Sequence, residues 1–384
     1  MSSFSKKGLL TLLQKLKSVL GQSDALKSRN RDEPCPPNEA SSTLVFKFDL
    51  WSELKQSKGE DARPILDVRE HDGLLAVFDG MGGSGGACYE VDGQVRTGAS
   101  IASELARSCV REYFTNLKSD EESGGSNNST AQIHELASGL TESLRATLKE
   151  EAVRLKIGRG RLEGKLVRVL PTTMACIYYR LSPKRDRVSC SVLWAGDSRA
   201  YRLTPRFGMQ QLTSDDLKSR GDALQNLRDD SPLSNCISAD SDFHIRHGMK
   251  EFDLPVTLLV ATDGCFNYFA TPFHFERAVL DSLTEALTEE SWKQNLMSHL
   301  QGVAADDFST AIVCLGWQGF DQMSEKYEGR RRQVMQEYIE PSDRVDIEVR
   351  ELDGQYKARV EDREVLRQQL WRQYRGNYEK ELLR

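Results

Sequence analysis

No Cys-x-x-Cys pair occurs among the eight cysteines of this chain, which are scattered at positions 35, 88, 109, 176, 190, 236, 265 and 314. Cys109, Cys176, Cys190 and Cys314 fall inside apolar runs, where a thiol behaves as a small core side chain. Such spacing speaks against a disulfide framework and suits a reducing compartment. No apolar run is long enough to span a bilayer, and no signal peptide is evident, so a cytoplasmic location is expected. A dominant basic surface is missing as well. The net charge is −6, which gives no reason to expect a nucleic-acid partner. No internal repeat stands out. At 384 residues, 39% of them hydrophobic and 29% charged, the chain can bury a sizeable core in one large domain or two ordinary ones.

Carboxylates are what the chain does have in an informative arrangement. Asp79 follows Leu74-Leu75-Ala76-Val77-Phe78, Asp197 follows Val192-Leu193-Trp194-Ala195-Gly196, and Asp263 follows Leu258-Leu259-Val260-Ala261-Thr262. Asp306-Asp307 precedes Ser309-Thr310-Ala311-Ile312-Val313, and Glu60-Asp61 lies upstream in a polar stretch. Short apolar runs read as strand interiors, so these acids emerge at strand ends, where loops carry function. If the strands lie side by side, the acids converge. Carboxylates sharing one site repel one another and either take up protons or bind cations. Oxygen ligation without His or Cys favours Mg²⁺ or Mn²⁺ over Zn²⁺. In Asp79-Gly80-Met81-Gly82-Gly83, the glycines let backbone carbonyls and a substrate come close, although a sharp glycine turn gives the same string. His244-x-x-His247 lacks further ligands and reads as ordinary surface histidine. Arg199, two residues after Asp197, reads as a loop brace held by a salt bridge.

Three regions follow from composition. Residues 1–43 combine a basic amphipathic helix, with Leu9, Leu12, Leu13, Leu16, Val19 and Leu20 on one face, and a linker bearing Pro34, Pro36 and Pro37. Docking of that helix on the body, or fraying, is preferred over membrane contact. Residues 44–318 mix helical and strand periodicities. Helices are expected over 99–114, 133–148 and about 275–301, the last with a break near Ser291. A Ser/Gly/Asn loop spans 119–130. An antiparallel strand pair, Met174–Tyr179 and Val188–Trp194, is expected around the turn Pro183-Lys184-Arg185-Asp186. Residues 319–384 are predicted as a charged extension: a helix over 321–339, a hairpin through Val345, Ile347 and Val349 and back past Asp353-Gly354, then a helix over 362–383. Its thin apolar stripe calls for contact with the core, a partner or a second copy.

Taken in order, Glu60-Asp61, Asp79-Gly80-Met81-Gly82-Gly83, Pro171-Thr172-Thr173, Gly196-Asp197-Ser198-Arg199, Thr262-Asp263-Gly264 and Asp306-Asp307-Phe308-Ser309 make a series. It resembles that of the type 2C, metal-dependent protein serine/threonine phosphatases, in particular their bacterial-style members, over about residues 44–318. The resemblance implies an α+β fold: a four-layer α-β-β-α sandwich of two antiparallel sheets flanked by helices, here with the helix-hairpin-helix extension added. It implies two Mn²⁺ or Mg²⁺ ions and a weaker third. Asp79 would bridge the two, the Gly80 carbonyl, Asp263 and Asp306 would complete one, and Glu60 would serve the other. Asp61 would hold waters, and Asp197 would reach the third position. The reaction implied is in-line attack on phosphorus by a metal-bridging hydroxide, with a phosphoprotein as substrate.

Departures from the family pattern are also legible. An Arg that usually grips phosphate is Gln56 here, which leaves Lys55, Lys58 or Arg63 as candidates; lysine lacks the bidentate fork. Met81 stands where many eukaryotic relatives carry His, so water must protonate the leaving group. Asn267 replaces a frequent Asp, which weakens the third-metal reading. The insertion Ser84 to Thr97 is open to two readings, a lid or specificity element beside the site and a tolerated surface loop. Two functions therefore stand: an active phosphatase, favoured by the retained acids, and a phosphatase-like interaction or sensor protein with weak or no catalysis.

Overall fold

The runs that end at Asp79 and Asp263, and the one that begins after Asp307, carry no charged side chain because both faces of each strand are covered. In the computed structural model, residues 44–54, 58–121, 130–157, 168–219, 221–228 and 231–380 are described. The amphipathic helix and linker expected over 1–43, most of the 119–130 loop, and Lys55 and Gln56 lie outside the described residues. In chain order the strands are β1 (Leu44–Ser52), β2 (Ile65–Val68), β3 (Asp72–Val77), β4 (Cys88–Val91), β5 (Gln94–Thr97), β6 (Met174–Leu181), β7 (Arg187–Ala195), β8 (Arg199–Thr204), β9 (Gly208–Gln211), β10 (Arg246–Asp253), β11 (Val256–Ala261) and β12 (Phe308–Trp317). The helices are α1 (Gly98–Glu121), α2 (Thr130–Arg154), α3 (Ala223–Arg228), α4 (Pro272–Thr284), α5 (Glu289–Gln301), α6 (Phe320–Val334) and α7 (Glu340–Tyr378).

Two antiparallel sheets result, ordered β1-β12-β11-β8-β9 and β10-β7-β6-β3-β2. Side-chain alternation sorts the apolar residues into three layers. Leu75 and Val77 of β3, Val260 of β11 and Val313 of β12 meet between the sheets. Their neighbours point outward: Leu74 and Ala76 toward Ile101, Val110, Leu140 and Leu144 of α1 and α2, and Leu259 and Ile312 toward Val279, Leu283, Trp292 and Leu296 of α4 and α5. This is the expected α-β-β-α sandwich. The predicted β6–β7 hairpin is present, pairing Met174 with Ala195 and Leu181 with Val188. Its turn is closed by the Ser182 hydroxyl, which accepts the N–H groups of Asp186 and Arg187. The helix expected over 275–301 is two helices. At the break, Thr288 Oγ1 accepts the Ser291 N–H and Ser291 Oγ accepts that of Thr288, a reciprocal cap.

The insertion is ordered. It forms a helical turn (Gly82–Gly85) and the β4–β5 hairpin, whose turn residues Asp92 and Gly93 have φ of 51° and 77°. Those values are the left-handed pair that a tight hairpin requires. Tyr89 and Val91 pack against the helical layer of α1 and α2.

The C-terminal region departs from expectation twice. Residues 345–360 are helical, not a hairpin, and α7 runs unbroken for 39 residues. The alternation of Val345, Ile347 and Val349 also satisfies helical i, i+4 spacing through Val345 and Val349. Gly354 costs a helix only about 1 kcal/mol, whereas an isolated hairpin is marginal in water. Secondly, the boundary expected at 319 cuts through the core. Met323, Tyr327 and Val334 of α6 are buried in the outer layer of the first sheet. The Tyr327 hydroxyl donates to Leu203 O at 2.8 Å, and Arg330 and Arg331 pair with Glu276 and Asp281 of α4. The extension that leaves the core begins past the wide π-type turn Met335–Ile339.

Candidate active site

Antiparallel order decides where the acids go. The C-terminal ends of β3, β7 and β11 and the N-terminal ends of β6 and β12 lie at one rim of the sandwich, because neighbouring strands run in opposite directions. Asp79 leaves β3 there, and its carbonyl accepts the Thr173 N–H at 2.8 Å and the Thr172 hydroxyl at 2.7 Å. Asp197 follows Gly196, whose φ of 98° turns the chain away from β7. Asp263 opens a single tight turn after β11 and receives Asn267 Nδ2 at 3.2 Å. Asp61 is buried and fixed by the Thr262 hydroxyl at 2.8 Å. Two more glycines are required by close backbone approach. A Cβ on Gly80 would collide with the Glu60 carbonyl oxygen, and one on Gly264 with that of Asp307.

The rim is a cleft of about 620 Å³ lined by Glu60, Asp61, Asp79, Gly80, Asp197, Asp263, Asp306 and Asp307. All six sequence-derived carboxylate candidates (Glu60, Asp61, Asp79, Asp197, Asp263 and Asp306) therefore come together, and the Gly80 backbone stands among them. Burial first, and then crowding, raise their proton affinity. Burial, then Asp263, Asp61 and Asp197, push Asp79 well above the usual carboxylate range. Burial and the charges of Asp263 and Asp307 do the same to Asp61, against the opposing bond from Thr262. Asp197 is pushed up to about 8 by burial and by Asp263 and Asp215, and Asp263 to about 6 by burial and Asp306. Glu60 and Asp306, nearer the mouth, are raised mainly by burial.

Divalent cations fit this donor set. Its acidic members offer oxygen, they concentrate negative charge where desolvation penalises it, and Asp197 Oδ1 is buried with no hydrogen-bond partner among the described residues. Among the described residues no three His, Cys, Asp or Glu side chains already stand at metal-holding spacing.

Other candidates fall elsewhere. Arg63 lies outside the cleft wall with its guanidinium 4.6 Å from the Trp51 ring centroid. Lys58 is exposed and also off the wall. Among the described residues, Arg168 and Lys218 are the cations that line the cleft, and sequence reasoning missed them; the available signal was Arg168 three residues ahead of Pro171-Thr172-Thr173. Arg199 braces a loop. It makes a buried fork with Asp215 at 2.9 and 2.7 Å and stacks over Phe266 at 4.2 Å. His244 and His247 do not line the cleft. Asp307, previously only a neighbour of Asp306, accepts the N–H groups of Leu54 and Glu60.

A family model described as protein phosphatase 2C matches residues 55–301. The chain accordingly belongs to the protein phosphatase 2C family and is a protein serine/threonine phosphatase. Its fold resembles several solved structures. The Mycobacterium tuberculosis serine/threonine phosphatase PstP/Ppp is 18% identical, with 71% of this chain and 99% of that chain covered and a TM-score of 0.46. For the S. agalactiae serine/threonine phosphatase the values are 16%, 71%, 100% and 0.48. For the serine/threonine phosphatase Stp1 from Staphylococcus aureus they are 17%, 73%, 99% and 0.48. No curated protein matches the chain.

Proposed function

We propose that this phosphatase hydrolyses phosphoserine and phosphothreonine in proteins with two Mg²⁺ or Mn²⁺ ions in the acidic cleft. The observation that carries the reading is the crowding of Asp61, Asp79, Asp197 and Asp263, each raised in pKa by burial and by neighbouring acids. By the family pattern, Asp79, the Gly80 carbonyl, Asp263 and Asp306 would hold one ion, Asp79 and Glu60 the second, and Asp197 a weaker third. Bound there, divalent cations would acidify water and neutralise charge on the phosphoryl group during in-line attack.

The chain's own residues supply orientation. Asp61, locked by the Thr262 hydroxyl, orients water at the cleft floor. Asp307 fixes the main chain of Glu60. Arg168 and Lys218 receive the substrate phosphate in place of the missing arginine, with Arg168 supplying the planar fork. Free thiols at all seven cysteines among the described residues support a cytoplasmic location. Among the described residues, no helix is long and apolar enough to cross a membrane.

The test is release of phosphate from a phosphothreonine peptide by the purified chain, in Mn²⁺ and in chelator. Turnover that needs Mn²⁺ supports the proposal; absence of turnover at saturating Mn²⁺ would favour the phosphatase-like interaction protein.

A further inference from the structure

The extension α7 has no buried residue along its 39 positions, yet it is not uniformly polar. Val345, Val349, Leu352, Tyr356, Leu366 and Leu370 are 47–59% exposed. They share one heptad frame, with 349, 356 and 370 in one seam position and 345, 352 and 366 in the other. That frame is the seam of a coiled coil. Arg359 and Arg363 occupy its central seam positions.

Charge along the same helix is polarised. Residues 340–353 carry six acidic and two basic side chains, whereas 366–378 carry three basic and no acidic ones. Parallel pairing of two copies would set like halves against each other; antiparallel pairing sets the acidic half of each on the basic half of the other. We propose that α7 pairs antiparallel with α7 of a second copy of this chain, about a two-fold axis near Glu361.

Centring the pair there brings Leu352 opposite the partner's Leu370 and Tyr356 opposite the partner's Leu366. It also sets Asp353 beside the partner's Arg367 at flanking positions. The intrahelical partners of these two charges, Lys357 at 2.7 Å and Glu364 at 3.6 Å, form exposed pairs that hold them weakly. The central Arg359 and Arg363 can turn their heads out of the seam, with Asp362 3.4 Å from Arg359. Asp353 and Arg367 lie fourteen residues apart on one helix, about 21 Å, so they cannot pair within a chain.

That separation makes charge exchange decisive. Sedimentation equilibrium of the full chain is expected to show a dimer. Asp353→Arg and Arg367→Asp should each weaken it about tenfold or more, because like charges then face each other at both ends of the pair. Combining D353R with R367D should restore dimerisation to within about threefold of the starting chain. Leu352→Glu should give monomer. Far-UV circular dichroism checks that each variant keeps its helix, and phosphothreonine peptide turnover should be unchanged in all. A monomeric full chain at high micromolar concentration, single reversals without effect, or a double exchange that fails to restore the dimer would each overturn the proposal.

Discussion

One carboxylate oxygen of Asp307 accepts the backbone N–H of Glu60 at 2.7 Å, while its other oxygen accepts that of Leu54 at 2.6 Å. A single side chain thus ties the segment that carries Glu60 to the loop before β12. Asparagine can accept through only one of its two positions. Asp307→Asn is expected to weaken apparent Mn²⁺ affinity about tenfold or more, as loss of groups that orient ligands does, with little change in peptide turnover at saturating Mn²⁺. Activity measured across a Mn²⁺ titration checks this. A shift in turnover alone would place Asp307 among the reacting groups.

Removing a crowded charge should stabilise the metal-free protein while destroying activity. Asp79→Asn and Asp263→Asn eliminate carboxylates that repel their neighbours in the folded state. In chelator their melting temperatures should rise, by about 1–2 °C per kcal/mol recovered in a domain of this size. Turnover with Mn²⁺ should fall by orders of magnitude. Calorimetry and peptide assay on the same preparations read both effects.

The same crowding sets a pH dependence. Folded pKa values of about 8 for Asp197 and about 6 for Asp263 lie above the ordinary aspartate value of 3.8. Between the unfolded and folded values, the folded state binds more protons, so stability falls as pH rises through that window. The metal-free melting temperature should therefore decline from pH 5 to pH 8.5, and saturating Mn²⁺ should flatten much of that decline. A rising melting temperature over this range in chelator would contradict the assigned shifts.

Phosphate recognition is testable at Arg168. Arg168→Ala should raise KM for a phosphothreonine peptide about tenfold with a smaller effect on kcat, and Arg168→Lys should recover part of the loss. Lys218→Ala should do less, since its side chain is exposed. Gln56→Arg, which returns the family's usual residue, should lower KM. Unaltered kinetics in the two Arg168 variants would mean that phosphate is held elsewhere.

Truncation separates α6 from α7. Ending the chain after Asp343 keeps Met323, Tyr327 and Val334 in the core and should leave peptide activity within about tenfold of the full chain. Removing 321–384 empties the Tyr327 site and should cost several kcal/mol, in the range of about 3–5 kcal/mol typical of large core deletions. Urea denaturation of both truncations distinguishes them.

Much of the site was legible because local chemistry dictates it. An apolar run that stops at Asp79 or Asp263 marks both a strand covered on two faces and the point at which the chain must meet solvent. The glycine after each of these acids marks close backbone approach. The four-layer sandwich and the convergence of the acids followed from those runs together with the family's ordered motifs. Other features depended on partners distant in sequence. Tyr327 is a core residue because its hydroxyl reaches Leu203, 124 positions away, so the sequence boundary at 319 missed it. Arg168 reaches the cleft because β6, which follows it, pairs with β3, a pairing that its place ahead of Pro171-Thr172-Thr173 hints at but does not fix. Val345, Ile347 and Val349 alternate like a strand, but no sheet edge pairs with them, and the helix that satisfies its own backbone bonds prevails. Strand ends and acids were written locally; which cations face the cleft, and where the core stops, was decided by long-range packing.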